Sequence, residues 1–111
     1  AKVGGLDIAG LTGCYLAAAA HRKPIVIDGF ISGAAALLAA KFNLLTGDYM
    51  IPSHLSAEKG AREVFACLGL EPMLLMNMRL GEGTGAALAF NLIDAACRVI
   101  NEMGSFADIG Q

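Results

Sequence analysis

One carboxylate set between two glycines is the residue in this chain best suited to chemistry. Glu82 lies between Gly81 and Gly83, in the segment from Arg79 to Ala86. Glycine lets a backbone turn sharply and approach a ligand closely. The N–H groups at the start of the helix predicted to follow favour an anion. Glu82 is therefore either a group that exchanges a proton with a ligand or a turn residue that faces solvent.

A second acid–glycine pair repeats this pattern. Asp28 and Gly29 end a β-branched run, and Ser32 then begins a hydroxyl-Gly-Ala-Ala string like the one that begins at Thr84. Because the carboxyl ends of parallel strands meet at one edge, where ligands bind in open α/β folds, Asp28 and Glu82 are predicted to project on the same side. Packing alone is the other explanation, since Gly-Ala-Ala lets a helix lie close to a sheet.

Three further polar residues fall near this predicted edge. Ser56, at the start of an amphipathic pattern, can present its hydroxyl and backbone amides to a phosphate, although a plain N-cap is the commoner role. His54 can assist an anion or titrate, but a lone loop histidine is more often merely exposed. Arg79 is either a substrate ligand or a solvated or ion-paired residue.

The elements that must position these residues alternate between helix and strand. This order predicts an α/β fold: a three-layer, Rossmann-like arrangement, here partial, with a parallel sheet and helices on both faces. The predicted elements are a helix over Leu6–Ala20, a strand over 23–29, a helix over 32–40 that starts at a hydroxyl, a turn over 45–47, a strand over 48–51 closed by Pro52, a helix over 57–68 with Ser56 as N-cap and Gly69 at its end, a strand over 72–76 and a helix over 85–103. Residues expected to face inward on the last helix are Leu88, Leu92, Ile93, Ala96, Val99, Ile100 and Met103.

Composition limits the classes of protein. Hydrophobic residues make up 56% of the 111 residues before the 14 glycines are counted, against about 45–50% with glycine in typical soluble domains. This excess predicts a homo-oligomer, such as a dimer, or a partner segment that covers one face. The longest uncharged runs, 8–20 and 29–40, are shorter than the roughly 18 residues of a membrane span, and a net charge of −2 offers no basic face to nucleic acid.

Several familiar kinds of site are not predicted. Cys14, Cys67 and Cys97 lack metal-type spacing and are interpreted as buried thiols in a reducing, cytoplasmic compartment. No Gly-x-Ser-x-Gly elbow, P-loop or dinucleotide fingerprint occurs. The sequence thus predicts no metal and no cofactor, only a carboxylate at an edge that can receive an anion.

Five segments together resemble one enzyme family, the nicotinate-nucleotide–dimethylbenzimidazole phosphoribosyltransferases. They are Gly-Leu-Glu-Pro at 69–72, the loop at 79–86, Asp-Gly-Phe-Ile-Ser within 24–32, Ser-His-Leu-Ser-Ala-Glu at 53–58, and Met-Gly-Ser-Phe-Ala at 103–107. The resemblance runs from end to end, and it covers the C-terminal third of such an enzyme. Residues 1–111 are therefore expected to be the C-terminal part of the α/β phosphoribosyltransferase domain, and the abrupt start at 2–5 agrees with truncation.

The resemblance implies a reaction. The family transfers the phosphoribosyl group of nicotinate mononucleotide to dimethylbenzimidazole, giving α-ribazole phosphate and nicotinate, without a metal or cofactor. Glu82 matches the general base for the benzimidazole N–H, and Leu80, with Gly81 and Gly83 beside it, matches the slot for the flat base. Ser56 is implied at the substrate phosphate and Asp28 at the edge of the active site.

Two other interpretations remain open. The chain can be a non-catalytic module that binds a nucleotide or azole on the same scaffold, or a fragment that is stable only as a dimer or domain-swapped assembly. The high apolar fraction motivates both.

Overall fold

A computed structural model describes residues 4–110, in which helices and short strands alternate. The elements are α1 (Leu6–Ala20), β1 (Ile25–Ile27), α2 (Phe30–Phe42), a 3₁₀ helix (Leu44–Tyr49), β2 (Met50–Pro52), α3 (Ala61–Leu68) and α4 (Thr84–Glu102). The bounds of α1 are those predicted. The predicted turn at 45–47 lies inside the 3₁₀ helix. The Asn43 side chain caps this helix, because its Oδ1 accepts from the Leu45 N–H at 3.1 Å.

The two strands form a parallel pair. Ile25 is opposite Met50, and Ile27 is opposite Pro52. The Ser53 N–H donates to the Ile27 carbonyl at 3.1 Å and so continues the pairing past Pro52, which has no N–H of its own. The chain is thus a mixed helix–strand unit with a small parallel sheet, as the alternating pattern predicted.

The predicted third strand over 72–76 is wrong. Only Leu74 pairs there, in a single parallel bridge with His54 that joins the segment to the end of β2. Pro72 cannot donate a hydrogen bond to a ladder. Leu75 and Met76 are exposed, and Asn77 has a φ of +51°, which is not a strand conformation. The segment therefore pairs with the residues that follow β2, through hydrogen bonds of Leu74 with Ser53 and Leu55, without becoming a full strand.

Two predicted helix starts are also wrong. Helix α2 begins at Phe30 after Gly29, and the Ser32 hydroxyl does not cap it. Helix α3 begins at Ala61, after Gly60 with a φ of +90°, rather than after Ser56. The Ser56 hydroxyl instead accepts from the Glu58 N–H at 3.2 Å, so a local turn uses it before the helix begins. Gly69, at φ +67°, ends α3 as predicted.

The core lies where α1 and α2 meet the sheet and α3. Alanines on α2 allow the helices to approach closely, and the large buried members are Tyr15 and Phe65. The Tyr15 hydroxyl forms a 2.6 Å hydrogen bond with Ser32 Oγ. Burial raises the pKa of Tyr15, while the bond to Ser32 acts in the opposite direction. The complete core set is Tyr15, Ile27, Ala35, Ala36, Ala39, Met50 and Phe65.

Helix α4 is covered only over its first turns. Gly85 and Ala89 are its buried residues, and every residue from Asp94 to Gly110 is exposed. The molecule therefore measures 63 × 32 × 21 Å. The predicted inward face is wrong for this chain, because no element among residues 4–110 packs against the C-terminal half of α4. Exposed members of that face are Leu88, Leu92, Val99, Ile100 and Met103.

The cysteines were predicted to be buried, and this is wrong. Cys14, Cys67 and Cys97 are all exposed free thiols. Helix α1 buries Thr12 and Tyr15 on another side, and Cys97 lies in the uncovered half of α4. Apolar character alone did not indicate which helix faces would be covered.

Candidate functional site

A pocket opens where β1 and β2 end and α4 begins. Its volume is about 670 Å³, which is within the usual range of small-molecule sites. Its lining combines apolar side chains with the polar residues singled out in the sequence. The lining residues are Leu11, Val26, Asp28, Gly29, Phe30, Ile31, Ser32, His54, Ser56, Glu58, Arg79, Gly81, Glu82 and Gly83.

The structure brings together five of the six predicted site residues. Asp28, Ser56, Gly81, Glu82 and Gly83 all line the pocket, which confirms that the two acid–glycine pairs share one edge.

Leu80 is the exception. It is 72% exposed and does not line the pocket. Its neighbours Arg79 and Gly81 both face the pocket, so the backbone between them directs the leucine side chain outward.

Asp28 links the end of β1 to the start of α4. Its Oδ2 accepts from the Gly83 N–H at 3.1 Å, and its Oδ1 accepts from the Ala86 N–H at 3.0 Å. Helix α4 has no capping side chain from its own sequence. Asp28 supplies the acceptor that the first turn of a helix requires. Two N–H groups that were predicted to attract a ligand anion are thus already occupied.

Glu82 occupies an unusual backbone conformation. Gly81, Glu82 and Gly83 have φ values of +75°, +57° and +79°. The left-handed region suits glycine but costs a residue with a Cβ about 1–2 kcal/mol. Glu82 is exposed at the pocket, and its carboxylate forms no hydrogen bond with residues 4–110. A carboxylate placed in this way can accept a proton from a ligand.

His54 is buried rather than exposed, contrary to the expectation for a lone loop histidine. It is 2% exposed, and its Nδ1 lies 3.2 Å from Ser53 Oγ, which itself donates to the Ile27 carbonyl at 2.6 Å. A Cβ added to Gly85 would overlap the His54 ring. The ring therefore packs directly on the start of α4, and this contact was missed because no local pattern pairs His54 with Gly85.

Charges around the pocket are unbalanced. Three carboxylates, of Asp28, Glu58 and Glu82, face one guanidinium, that of Arg79. Within residues 4–110 no three His, Cys, Asp or Glu side chains are grouped as a metal site requires. No helix in the same span is long and apolar enough to cross a membrane. Among the residues that line the pocket, Arg79 offers a guanidinium to an anionic ligand.

Comparison with known proteins places this unit in an enzyme class. The phosphoribosyltransferase family model matches residues 1–110. A curated relative from Ruminiclostridium cellulolyticum is 59% identical over 108 residues, which are 97% of this chain and 31% of the relative. One from Clostridium acetobutylicum is 62% identical over 105 residues, 95% of this chain and 30% of the relative. Both are named nicotinate-nucleotide–dimethylbenzimidazole phosphoribosyltransferase.

A solved structure agrees with the sequence match. The crystal structure of the enzyme of that name from Thermus thermophilus superposes with a TM-score of 0.94 at 43% identity, over 99% of this chain and 33% of the solved chain. The chain belongs to the nicotinate-nucleotide–dimethylbenzimidazole phosphoribosyltransferase family, as the resemblance implied. It spans about a third of the length of the relatives it matches.

Proposed function

We propose that this chain is the C-terminal part of a phosphoribosyltransferase that transfers the phosphoribosyl group of nicotinate mononucleotide to dimethylbenzimidazole. The products are α-ribazole phosphate and nicotinate. In the full-length enzyme, meaning this chain with the N-terminal segment that completes it, Glu82 is the general base. Family membership supports the reaction class, because relatives that are 59% and 62% identical carry this name.

The observation that carries the proposal is the Glu82 carboxylate itself. It is exposed at the pocket on a left-handed loop, and nothing in residues 4–110 is hydrogen-bonded to it. In the proposed step it takes the proton from the benzimidazole N–H. The lone pair released on nitrogen attacks the anomeric carbon of the ribose, and the bond from that carbon to nicotinate breaks. Nicotinate leaves with the bonding pair, so charge and atoms balance without a cofactor.

The mixed lining of the pocket suits both parts of the substrates. The apolar side chains of Leu11, Val26, Phe30 and Ile31 can lie against a flat aromatic base. Backbone at Gly81 and Gly83 can approach the same ring because glycine has no side chain. Leu80 would join this slot only if the loop rotated on binding, since its side chain points away here.

We assign the phosphate to Ser56 and Arg79. Both line the pocket, Ser56 is 8% exposed, and Arg79 carries the guanidinium of the lining. A guanidinium can form paired hydrogen bonds to phosphate oxygens. The start of α4 is a weaker candidate than its sequence indicated, because Asp28 already accepts from two of its N–H groups.

The same proposal extends to the whole enzyme. Its N-terminal segment would add strands and helices to complete a three-layer, Rossmann-like sheet. We expect the enzyme to be cytoplasmic. We also expect a homodimer, because α4 and the residues after it present apolar surface to a covering partner: Val99, Ile100, Met103 and Phe106 are all more than half exposed. Sedimentation of the full-length enzyme at micromolar concentration would show a monomer if this expectation is wrong.

Replacement of Glu82 by Gln in the full-length enzyme tests the chemical proposal. A positioned general base contributes about 10²–10⁴-fold to a rate, so kcat should fall by that factor while the thermal melting midpoint stays within a few degrees. Glu63→Gln on the exposed face of α3 is the matched control and should keep full turnover. Turnover of E82Q equal to that of the unmodified enzyme would contradict the assignment.

A non-catalytic binding module on this scaffold is the second candidate. The exposed apolar residues favour it. Calorimetry of the chain with nicotinate mononucleotide and with dimethylbenzimidazole separates the two: selective binding, with no product formed by the full-length enzyme, would favour the module.

A further inference from the structure

The two carboxylates of the pocket are connected through the backbone of α4. The hydrogen bonds of the Asp28 carboxylate go to backbone groups beside Glu82 rather than to its side chain. Asp28 accepts from the N–H of Gly83, the residue immediately after Glu82, and from the N–H of Ala86 one turn into the helix. These donors lie 55 and 58 residues further along the chain. A single side chain thus fixes both the last residue of the left-handed loop and the first turn that follows it.

The loop needs such an anchor. Gly81, Glu82 and Gly83 all have positive φ, and two glycines give the backbone many other conformations of similar energy. Within the loop, the Thr84 N–H donates to the Gly81 carbonyl at 3.1 Å. That bond closes the turn on itself but does not orient the turn relative to β1. The Asp28 carboxylate links the end of the loop and the first turn of α4 to the end of β1 by two hydrogen bonds.

Asp28 is itself held in place. Its backbone N–H donates to Ser32 Oγ at 3.3 Å. Ser32 Oγ also forms a 2.6 Å hydrogen bond with the hydroxyl of the buried Tyr15. The Ser53 hydroxyl lies 3.2 Å from the Asp28 carbonyl and donates mainly to Ile27. The acid therefore extends from a rigid strand end, and rigid support of this kind keeps a reactive group in its productive geometry.

We propose that Asp28 is a positioning residue for Glu82, rather than a ligand of the substrate. This rests on the proposed function of Glu82 as the base. Both Asp28 oxygens are occupied by backbone N–H groups at 3.0 and 3.1 Å. Asp28 acts by setting where the Glu82 carboxylate stands in the pocket.

A double-mutant cycle in the full-length enzyme tests this. Asp28→Asn keeps the shape of the side chain but turns one acceptor into a donor that faces an N–H group. If Asp28 works through Glu82, D28N lowers kcat at least tenfold with KM for both substrates changed less than threefold. Added to E82Q, D28N then lowers kcat by less than twofold, because the group it positions has already been removed.

Asp28→Glu keeps a carboxylate one methylene further out, and it should recover part of the lost kcat. Asp48→Asn is the matched control, since Asp48 is exposed in the 3₁₀ helix away from the pocket, and it should leave kcat unchanged. Circular dichroism and melting of each variant show that it is folded. If D28N does not fold, D28E combined with E82Q provides the same cycle.

Three results would overturn the inference. A rise in KM with kcat unchanged would make Asp28 a substrate ligand. Multiplicative losses in the double variant would show that it acts independently of Glu82. A lower melting midpoint with normal kcat would leave it a purely structural cap. Failure of the proposed function is seen separately, in the turnover of E82Q alone.

Discussion

Two stretches of this chain have similar sequences and use their acids in opposite ways. Asp28-Gly29 and Glu82-Gly83 each precede a hydroxyl-Gly-Ala-Ala string in the first turn of a helix, and both acids line one pocket. Asp28 is half-buried, and both of its oxygens accept backbone hydrogen bonds. Glu82 is exposed in a left-handed conformation, and its carboxylate forms no hydrogen bond within residues 4–110.

The difference arises from side-chain length and neighbours rather than from local sequence. Aspartate is short, and at the end of β1 it reaches the start of a helix that crosses that edge. Glu82 is on the loop just before α4, and the N–H groups of Gly83 and Ala86 already donate to Asp28. One acid therefore stabilises the fold, and the other is left available to a ligand.

Gly85→Ala should have the largest effect on stability. The new Cβ would overlap the buried His54 ring, which must move or push α4 away from β2. Overpacking of this kind costs about 1–3 kcal/mol, and we expect the upper end of that range in denaturant unfolding of the chain. Gly10→Ala is the control, because Gly10 is helical and exposed, with no atom near its Cβ position. It should raise stability by about 0.5–1 kcal/mol, and equal losses in both variants would contradict the packing argument.

Asp28→Ala should lower the free energy of unfolding more than Glu82→Ala does. It removes the acceptor for two N–H groups of α4, and loss of a helix cap costs about 0.5–2 kcal/mol. Glu82→Ala removes no hydrogen bond within residues 4–110, so its unfolding free energy should change by less than about 0.5 kcal/mol, as for most surface substitutions. Equal destabilisation by the two alanines would show that the acids are not divided in this way.

Glu82→Gly should stabilise the chain while it abolishes the proposed activity. Relief of the left-handed strain is worth about 1–2 kcal/mol, and the extra freedom of glycine in the unfolded chain takes back about 0.4–1 kcal/mol. A net gain of about 0.5–1 kcal/mol should appear in denaturant midpoints with an unchanged slope. Glu63→Gly, within helix α3, is the contrasting control and should lose about 1 kcal/mol. If E82G is less stable than the parent chain, the Glu82 side chain has a structural role that the contacts do not reveal.

Local sequence was sufficient for the features that depend on neighbouring residues. The bounds of α1, the β-branched core of β1 and the αL glycine at the end of α3 were all predicted from short patterns. The shared edge of Asp28 and Glu82 was predicted from a general rule for parallel strands, although only a single bridge stands where the strand before Glu82 was expected.

Features that depend on distant residues could not be predicted in this way. The residues near Ser56 do not indicate that its hydroxyl accepts from the Glu58 N–H in a local turn. They also do not indicate that α3 begins only after Gly60. The bond from Ala86 to Asp28 joins residues 58 positions apart. The apolar stripe on α4 shows that a face can be buried, but not whether any residue of this chain covers it.

The smallest expected effect concerns the support behind Asp28. Burial raises the pKa of Tyr15, and the bond to Ser32 only partly opposes it. Well below pH 10, the ordinary pKa of tyrosine, both the folded and the unfolded chain hold the phenol neutral. As the pH rises above 10 the unfolded chain ionises first, so the folded state loses stability. Tyr15→Phe should remove this part of the loss of stability at high pH. The melting midpoint should then fall less steeply between pH 9 and 11. The variant also lacks the hydrogen bond to Ser32 at every pH. Tyr49→Phe, at a half-buried tyrosine in the 3₁₀ helix, is the matched control. If both variants change the slope of melting midpoint against pH equally, burial of Tyr15 does not control the loss of stability at high pH.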